Sequence, residues 1–194
     1  MATDASAART RRRGEALEHA IYAAALAELD EVGYGGLTME GVAGRARTGK
    51  AALYRRWPSK RELVLHALRH ALPDPPEIAP DRSTRENLLA ALSVMSEALA
   101  GKTSFPGLAV LGEILREPEL RQAFVDTVVA PRLQVIESIL RQGAQRAETN
   151  PTPDPLIVQI GPATVLHSFV MAGRAPTQDE LAHIVDTALM PLLR

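Results

Sequence analysis

Residues 37–63 read LTMEGVAGRARTGKAALYRRWPSKREL, and this stretch decides the fold. Thr38 is a good N-cap for a short helix from Met39 to about Ala46, with Met39, Val42, Ala43 and Ala46 facing inward. Arg47–Thr48–Gly49 breaks it. Thr48 is placed to cap the next helix, which carries Ala51, Ala52, Leu53, Tyr54 and Trp57 and closes at Pro58. Ser59 with Glu62 three residues on forms a capping box that opens a further helix to about Leu72. From residue 45 to 61 the stretch holds seven cations, Arg45, Arg47, Lys50, Arg55, Arg56, Lys60 and Arg61, and no carboxylate. It reads as a basic surface built on a helix-turn-helix.

Upstream, Leu17, Ile21, Ala24, Ala25, Leu29 and Val32 form one apolar stripe, predicting a helix from Gly14 to Val32 that Gly33, Gly35 and Gly36 stop. Residues 1–13 read as a mobile basic tail. Downstream, Pro73, Pro75, Pro76 and Pro80 make residues 73–83 a stiff linker. A head at 14–72 and a body at 84–194 follow from it. In the body, Ser83 with Glu86 and Thr177 with Glu180 repeat the capping box, and Asp154–Pro155 opens a helix without charges. A short helix is expected near 106–116 and a long one from Pro118 to about Ala147, kinked at Pro131. No stretch alternates with period two. The fold class is all-α, about nine helices.

Bulk composition agrees. Hydrophobic residues make up 46% of the 194 and aromatics only 4%, so the core is aliphatic and suits packed helices. The absence of cysteine excludes disulfides, thiolate metal sites and a cysteine nucleophile. The net charge of −1 hides an asymmetry: residues 1–72 carry 12 Lys and Arg against 8 Asp and Glu, residues 73–194 carry 10 against 15. A basic head on an acidic body suits a phosphate-facing head. The N-terminus has arginines but no apolar core of a secretory signal, so a cytoplasmic location is expected. Residues 156–173 run without charge at nearly the length of a membrane span. Gln159, Gly161, Pro162, Thr164, His167 and Ser168 argue against lipid and for a helix buried on several sides.

The first 72 residues resemble the DNA-binding domain of the TetR family of bacterial transcriptional regulators. LTMEGVAGRA, followed by KAALYRRWPSKREL behind a basic first helix, carries the resemblance, most specifically from Leu53 to Leu63. It covers about a third of the chain, and the rest matches in architecture alone. Arg47 stands where the family usually has glycine, Gly49 where a hydroxyl residue is common, and Ala52 where Thr or Ser is frequent. A positive φ at Arg47 would cost about 1 kcal/mol.

The resemblance implies a homodimer on a near-palindromic double-stranded DNA operator, more often as repressor than activator. Two-fold pairing also follows from the small footprint of one helix-turn-helix. Thr48, Gly49, Lys50 and Ala51 at the start of the recognition helix, with Arg47 from the turn, are the groove-facing candidates. Lys50 suits guanine O6 or N7, and Ala51 a thymine methyl. Thr38, Tyr54, Arg55, Arg56 and Lys60 are candidates for phosphates. Trp57 reads as core. The arginines at 9 and 11–13 follow the DNA backbone, enter a neighbouring minor groove, or belong to a disordered solubilising tail.

The resemblance also implies a small-molecule effector, lipophilic if the aliphatic lining is a guide. Leu92, Met95, Leu99, Leu111, Leu115, Phe124, Val128 and His167 are candidate pocket walls. Ile160, Val165, Phe169, Leu181, Ile184, Val185 and Leu189 are the candidate dimer face, with intrasubunit core as the alternative for each. Two other functions stand beside the regulator. One is a constitutive DNA-binding dimer without ligand. The other is a metal-dependent enzyme using His66 and His70, spaced with Glu62 on one helix face. Against an enzyme stand the missing HExxH, GxSxG and phosphate-loop motifs. Nothing points to a cofactor or a bound metal.

Overall fold

The computed structural model describes residues 3–103, 112, 114–150 and 154–193, with side chains from Gly14 onward. Among them are nine α-helices and no strand: α1 Thr3–Gly36, α2 Met39–Arg45, α3 Lys50–Tyr54, α4 Lys60–Ala71, α5 Thr84–Leu99, α6 Pro118–Phe124, α7 Ala130–Gln145, α8 Pro155–Ala172 and α9 Gln178–Ile184. Leu111 and most of the helix expected near 106–116 lie outside the described residues, as do residues 151–153.

The chain forms two compact units. One comprises Met1–Ala71 and Ser104–Phe124, the other Leu72–Thr103 and Val125–Arg194. The division at 71/72 falls where the prolines begin, but 104–124 groups with the head rather than the body. The reason lies in α6, which packs on α4 and pairs Glu119 with Arg61 at 3.2 Å.

In the head, Ile21, Ala25 and Leu29 of α1, Val42 of α2, Leu53 of α3, and Leu63, Ala67 and Leu68 of α4 bury one shared core. Trp57 is 2% exposed and meets Tyr22 edge-on at 5.4 Å, so it is a core residue, as its spacing implied. α1 begins at Thr3, well before Gly14, because the alanine-rich start contains no helix breaker and one glycine costs only about 1 kcal/mol. Its regular turns end at Gly33, whose φ of 70° and ψ of 172° leave the helical region, and Val32 there is exposed rather than core.

In the body, Leu88 and Leu92 of α5, Ile136, Ile139 and Leu140 of α7, Val158 and Val165 of α8, and Leu181 and Ile184 of α9 make the main cluster. Both capping boxes form in full, with Ser83 and Thr177 accepting from the backbone N–H of Glu86 and Glu180. Asp154 caps α8 through Leu156 N–H at 2.7 Å. The linker is pinned rather than free: Asn87, 2% exposed, exchanges hydrogen bonds with Ala79, and Arg132 and Arg146 donate to the carbonyls of Pro73 and Pro80. Near the kink expected at Pro131, a π-helical turn, Val125–Val129, precedes the proline. Proline has no N–H for the carbonyl four residues back and its ring crowds that oxygen, and a wider turn relieves both.

α8 has a mean hydropathy of 1.4 over 18 residues, enough by length and composition to cross a bilayer. Its Val158, Gly161 and Val165 face the body's core, but the rest of the helix is not enclosed. Leu156, Val170 and Met171 are exposed, as are Gln159, Ala163 and His167 on the same stripe.

Candidate nucleic-acid interface

The helix-turn-helix is built by two helix ends. α2 opens on Thr38, whose Oγ1 accepts from Gly41 N–H at 3.0 Å, leaving its own hydroxyl proton available to a phosphate oxygen. α2 closes in a Schellman motif. Thr48 N–H donates to Ala43 O at 3.0 Å and Arg47 N–H to Gly44 O at 3.1 Å. The motif requires a left-handed residue at its turn, and Arg47 occupies that place with φ 52°. The chain thus uses a long cation where glycine fits best, which puts a guanidinium at the tip of the turn.

α3 begins one residue later than the spacing implied. Its N-cap is Gly49, with no side-chain hydrogen bond, so Thr48 is not the cap; its N–H closes the preceding motif instead. Gly49, Lys50, Ala51, Tyr54 and Arg55 are exposed on this face with Arg47 and Thr38, while Thr48 is half-buried. Tyr54 is 47% exposed, consistent with a hydroxyl free to meet phosphate.

The seven cations are not equivalent. Arg45 is clamped by Glu28, at 3.0 Å from its Nε, and by Glu31. Hydrogen bonds donated to Glu31, then to Glu28, hold its proton more firmly than in a free guanidinium. Arg61 pairs with Glu119. Lys50 Nζ lies 3.3 Å from Glu40 Oε2.

Lys60 departs furthest from expectation. Its ammonium donates to Tyr34 O at 2.8 Å, Leu37 O at 3.3 Å and Gly35 O at 3.4 Å, and sits 4.6 Å from the centroid of the Tyr34 ring. A cation at the start of α4 is disfavoured by that helix's dipole, and here it turns to the carbonyls left open after the Gly33 break. In this structure the Lys60 ammonium thus joins α1 to α4 through these carbonyls. Among the described residues, Arg47, Arg55 and Arg56 are the cations of this set that carry neither an ion pair nor a carbonyl partner.

His70 is engaged away from His66. Its Nε2 lies 2.9 Å from His19 Nδ1 across α1 and α4, and the rings meet edge-on. No three metal-ligating side chains come together among the described residues.

The body candidates separate in the same way. Val165, Leu181, Ile184, Val185 and Leu189 are buried in their own chain's core, so they cannot form a face for a second copy. Ile160 and Phe169 are half-buried. Of the expected pocket walls, Leu92 and Val128 are buried and Met95 and Leu99 half-buried. Leu115 is exposed, His167 is exposed, and Phe124 belongs to the head's unit. Helical spacing shows which positions share a face but not what covers that face. In the body core a cavity of about 10 Å³ lies among Leu88, Leu92, Ile136, Leu140, Gly161 and Leu189, room for about one water.

A short helix-turn-helix with exposed cations at its turn defines a DNA-binding regulator. Residues 21–67 match the family described as bacterial regulatory proteins, tetR family, and residues 78–188 match the tetracyclin repressor-like C-terminal domain. An uncharacterized HTH-type transcriptional regulator of Mycobacterium bovis is 32% identical over 177 residues, 91% of this chain and 87% of the relative. The DNA-binding transcriptional repressor TetR of Mycobacteroides abscessus is 29% identical over 188 residues, 94% and 96% of the two chains. Among solved structures, FadR from Bacillus subtilis, in complex with stearoyl-CoA, superposes with a TM-score of 0.65 at 22% identity, covering 90% of this chain and 96% of that one. The chain belongs to the TetR family of bacterial transcriptional regulators.

Proposed function

We propose that the protein is a repressor that binds a near-palindromic operator as a homodimer and is released by a lipophilic small molecule. The observation that carries the DNA reading is the exposed face of α2 and α3, where Arg47, Arg55 and Arg56 have no ion pair and Lys50 and Tyr54 stand exposed beside them. Arg47 at the turn is the strongest element, since a left-handed arginine is kept against backbone preference. In this reading the cytoplasm is the site of action.

The dimer face we assign is the uncharged outer stripe of α8, with Leu156, Ala163, His167, Val170 and Met171. Exposed apolar side chains at helical spacing favour burial against a copy of themselves, since a two-fold places the same stripe on both partners. An effector would lower DNA affinity by the ratio of its affinities for the two states of the body. FadR's complex with an acyl-CoA and the aliphatic body core both support a lipophilic class. The cavity in the body core, only about 10 Å³, favours a second reading in which the dimer binds DNA constitutively, while the open cleft of about 360 Å³ lined by Ser168, Arg174, Asp179 and His183 is the roomier place for an effector.

Gel shifts on DNA from beside the protein's own gene test the first part: a salt-sensitive complex that outlasts competitor DNA is expected. Sequence-indifferent binding would overturn it. A thermal-shift screen with acyl-CoAs and free fatty acids separates the two readings. A compound that raises the melting temperature and weakens the complex supports the inducible repressor; none doing so supports the constitutive one.

A further inference from the structure

Glu40 is an acidic residue on a surface otherwise suited to a polyanion. Its side chain is 77% exposed, and its Oε2 lies 3.3 Å from Lys50 Nζ, itself 49% exposed. Glu40 sits in the first turn of α2, and Lys50 is the first residue of α3, so the ion pair bridges the two helices at the end from which a recognition helix enters the groove. Its place in the first turn of α2 suits the helix dipole, and among the described residues its one ion pair is with Lys50.

We propose that Glu40 and Lys50 read one G·C base pair together. The inference rests on the DNA-binding reading above. A G·C pair displays, side by side across the major groove, the acceptors N7 and O6 of guanine and then the N4 amino donor of cytosine. O6 and N4 are hydrogen-bonded to each other, so they lie about 2.9 Å apart. An ammonium and a carboxylate oxygen held 3.3 Å apart match that edge in order and in spacing. The ammonium's several N–H groups cover N7 and O6, and the carboxylate accepts from N4. An A·T pair fits poorly. Its one amino donor lies between two acceptors, so a carboxylate placed on it leaves an acceptor beside its own negative charge, with a single ammonium to answer both sides. Glu40 also holds the flexible Lys50 stem in one arrangement, which fixes where its donors point.

The test is selection from a pool of duplexes with a randomised 20-base-pair core, run with the full-length wild type and with Glu40→Gln. Glu40 is exposed and makes no core contact, so the variant keeps its fold, which a thermal melt checks. The wild type is expected to enrich a G·C pair at one position of each half-site. Glu40→Gln is expected to lose about tenfold of the preference for G·C over A·T at that position and to keep its preference elsewhere. If Glu40→Gln instead strengthens binding to every sequence by a common factor and selects the same pool, the carboxylate acts only on phosphate charge and the inference is wrong. If the wild type enriches no sequence, the DNA-binding reading itself fails and takes the inference with it.

Discussion

Lys60→Met separates a structural cation from a DNA-binding one. Methionine keeps most of the aliphatic stem and removes the ammonium. The contact to Tyr34 O at 2.8 Å is a full charge-assisted hydrogen bond, while those to Leu37 O and Gly35 O are long. Such a bond contributes about 1.5–3 kcal/mol. The Tyr34 ring adds about 0.5–1 kcal/mol at a partly exposed site. A loss of about 2–4 kcal/mol is expected, which at about 2–4 °C per kcal/mol lowers the melting temperature by roughly 4–16 °C. Differential scanning calorimetry reads the stability, and fluorescence anisotropy on a bound duplex across a salt series reads the phosphate contacts. The salt slope should stay as in the wild type, because an ammonium turned to carbonyls neutralises no phosphate. A phosphate ligand would behave in the opposite way: unchanged melting, and a slope shallower by about 0.9 per head. That pair of results would refute the structural role of Lys60.

Arg47→Gly should lower DNA affinity without lowering stability. Relief of the left-handed backbone gives about 1 kcal/mol, offset by about 0.4–1 kcal/mol of added unfolded-chain entropy, so thermal melts should show no loss of stability while anisotropy shows weaker DNA binding. Gly143→Ala should destabilise the body by about 1–3 kcal/mol in urea melts, since a Cβ there would collide with Thr84 Oγ1 and crowd Thr149 at 3.2 Å. Adding Thr84→Ala should recover part of that loss in a double-mutant cycle. Glu180 is held down to about 2 from its ordinary 4.5 by the hydrogen bond from Arg174 and then by the Thr177 backbone N–H. A carboxyl depressed in the folded state stabilises above its unfolded value and loses that contribution as pH falls from about 4.5 through about 2. Carbon-13 titration of the Glu180 carboxyl should show the low midpoint, and Arg174→Ala should raise it.

The head was legible because its instructions are local. Thr38, Ser59 and the capping boxes lie within three residues of the groups they cap, and the stripe in α1 repeats every three or four residues. What sequence could not show is where a long side chain goes once the chain has folded back. Lys60 reaches carbonyls 23 to 26 residues upstream, and Arg45 reaches Glu28 and Glu31 on another helix. The pairing of Glu40 with Lys50 ten residues later, across two helices, is a contact that helical periodicity passes over. In the body, Leu181, Ile184 and Val185 form an apolar face that fits an interface or a core equally well. Burial decided for core, because α5 and α8 close over them. The exposed apolar stripe turned out to lie on the other side of α8, where Gln159 and His167 interrupt the pattern that hydrophobicity alone detects.

In the proposed reading the α2–α3 face, carried twice in a dimer, binds duplex DNA through the cations left unpaired by the fold. Three such arginines per head imply about six neutralised phosphates and a slope of log affinity on log salt of about −5. Anisotropy titrations of the full-length protein between about 50 and 200 mM salt measure it, using one selected duplex and a scrambled duplex of equal composition. The account predicts a slope near that value and clear preference for the selected duplex; a slope near zero, or equal binding to both duplexes, would contradict it.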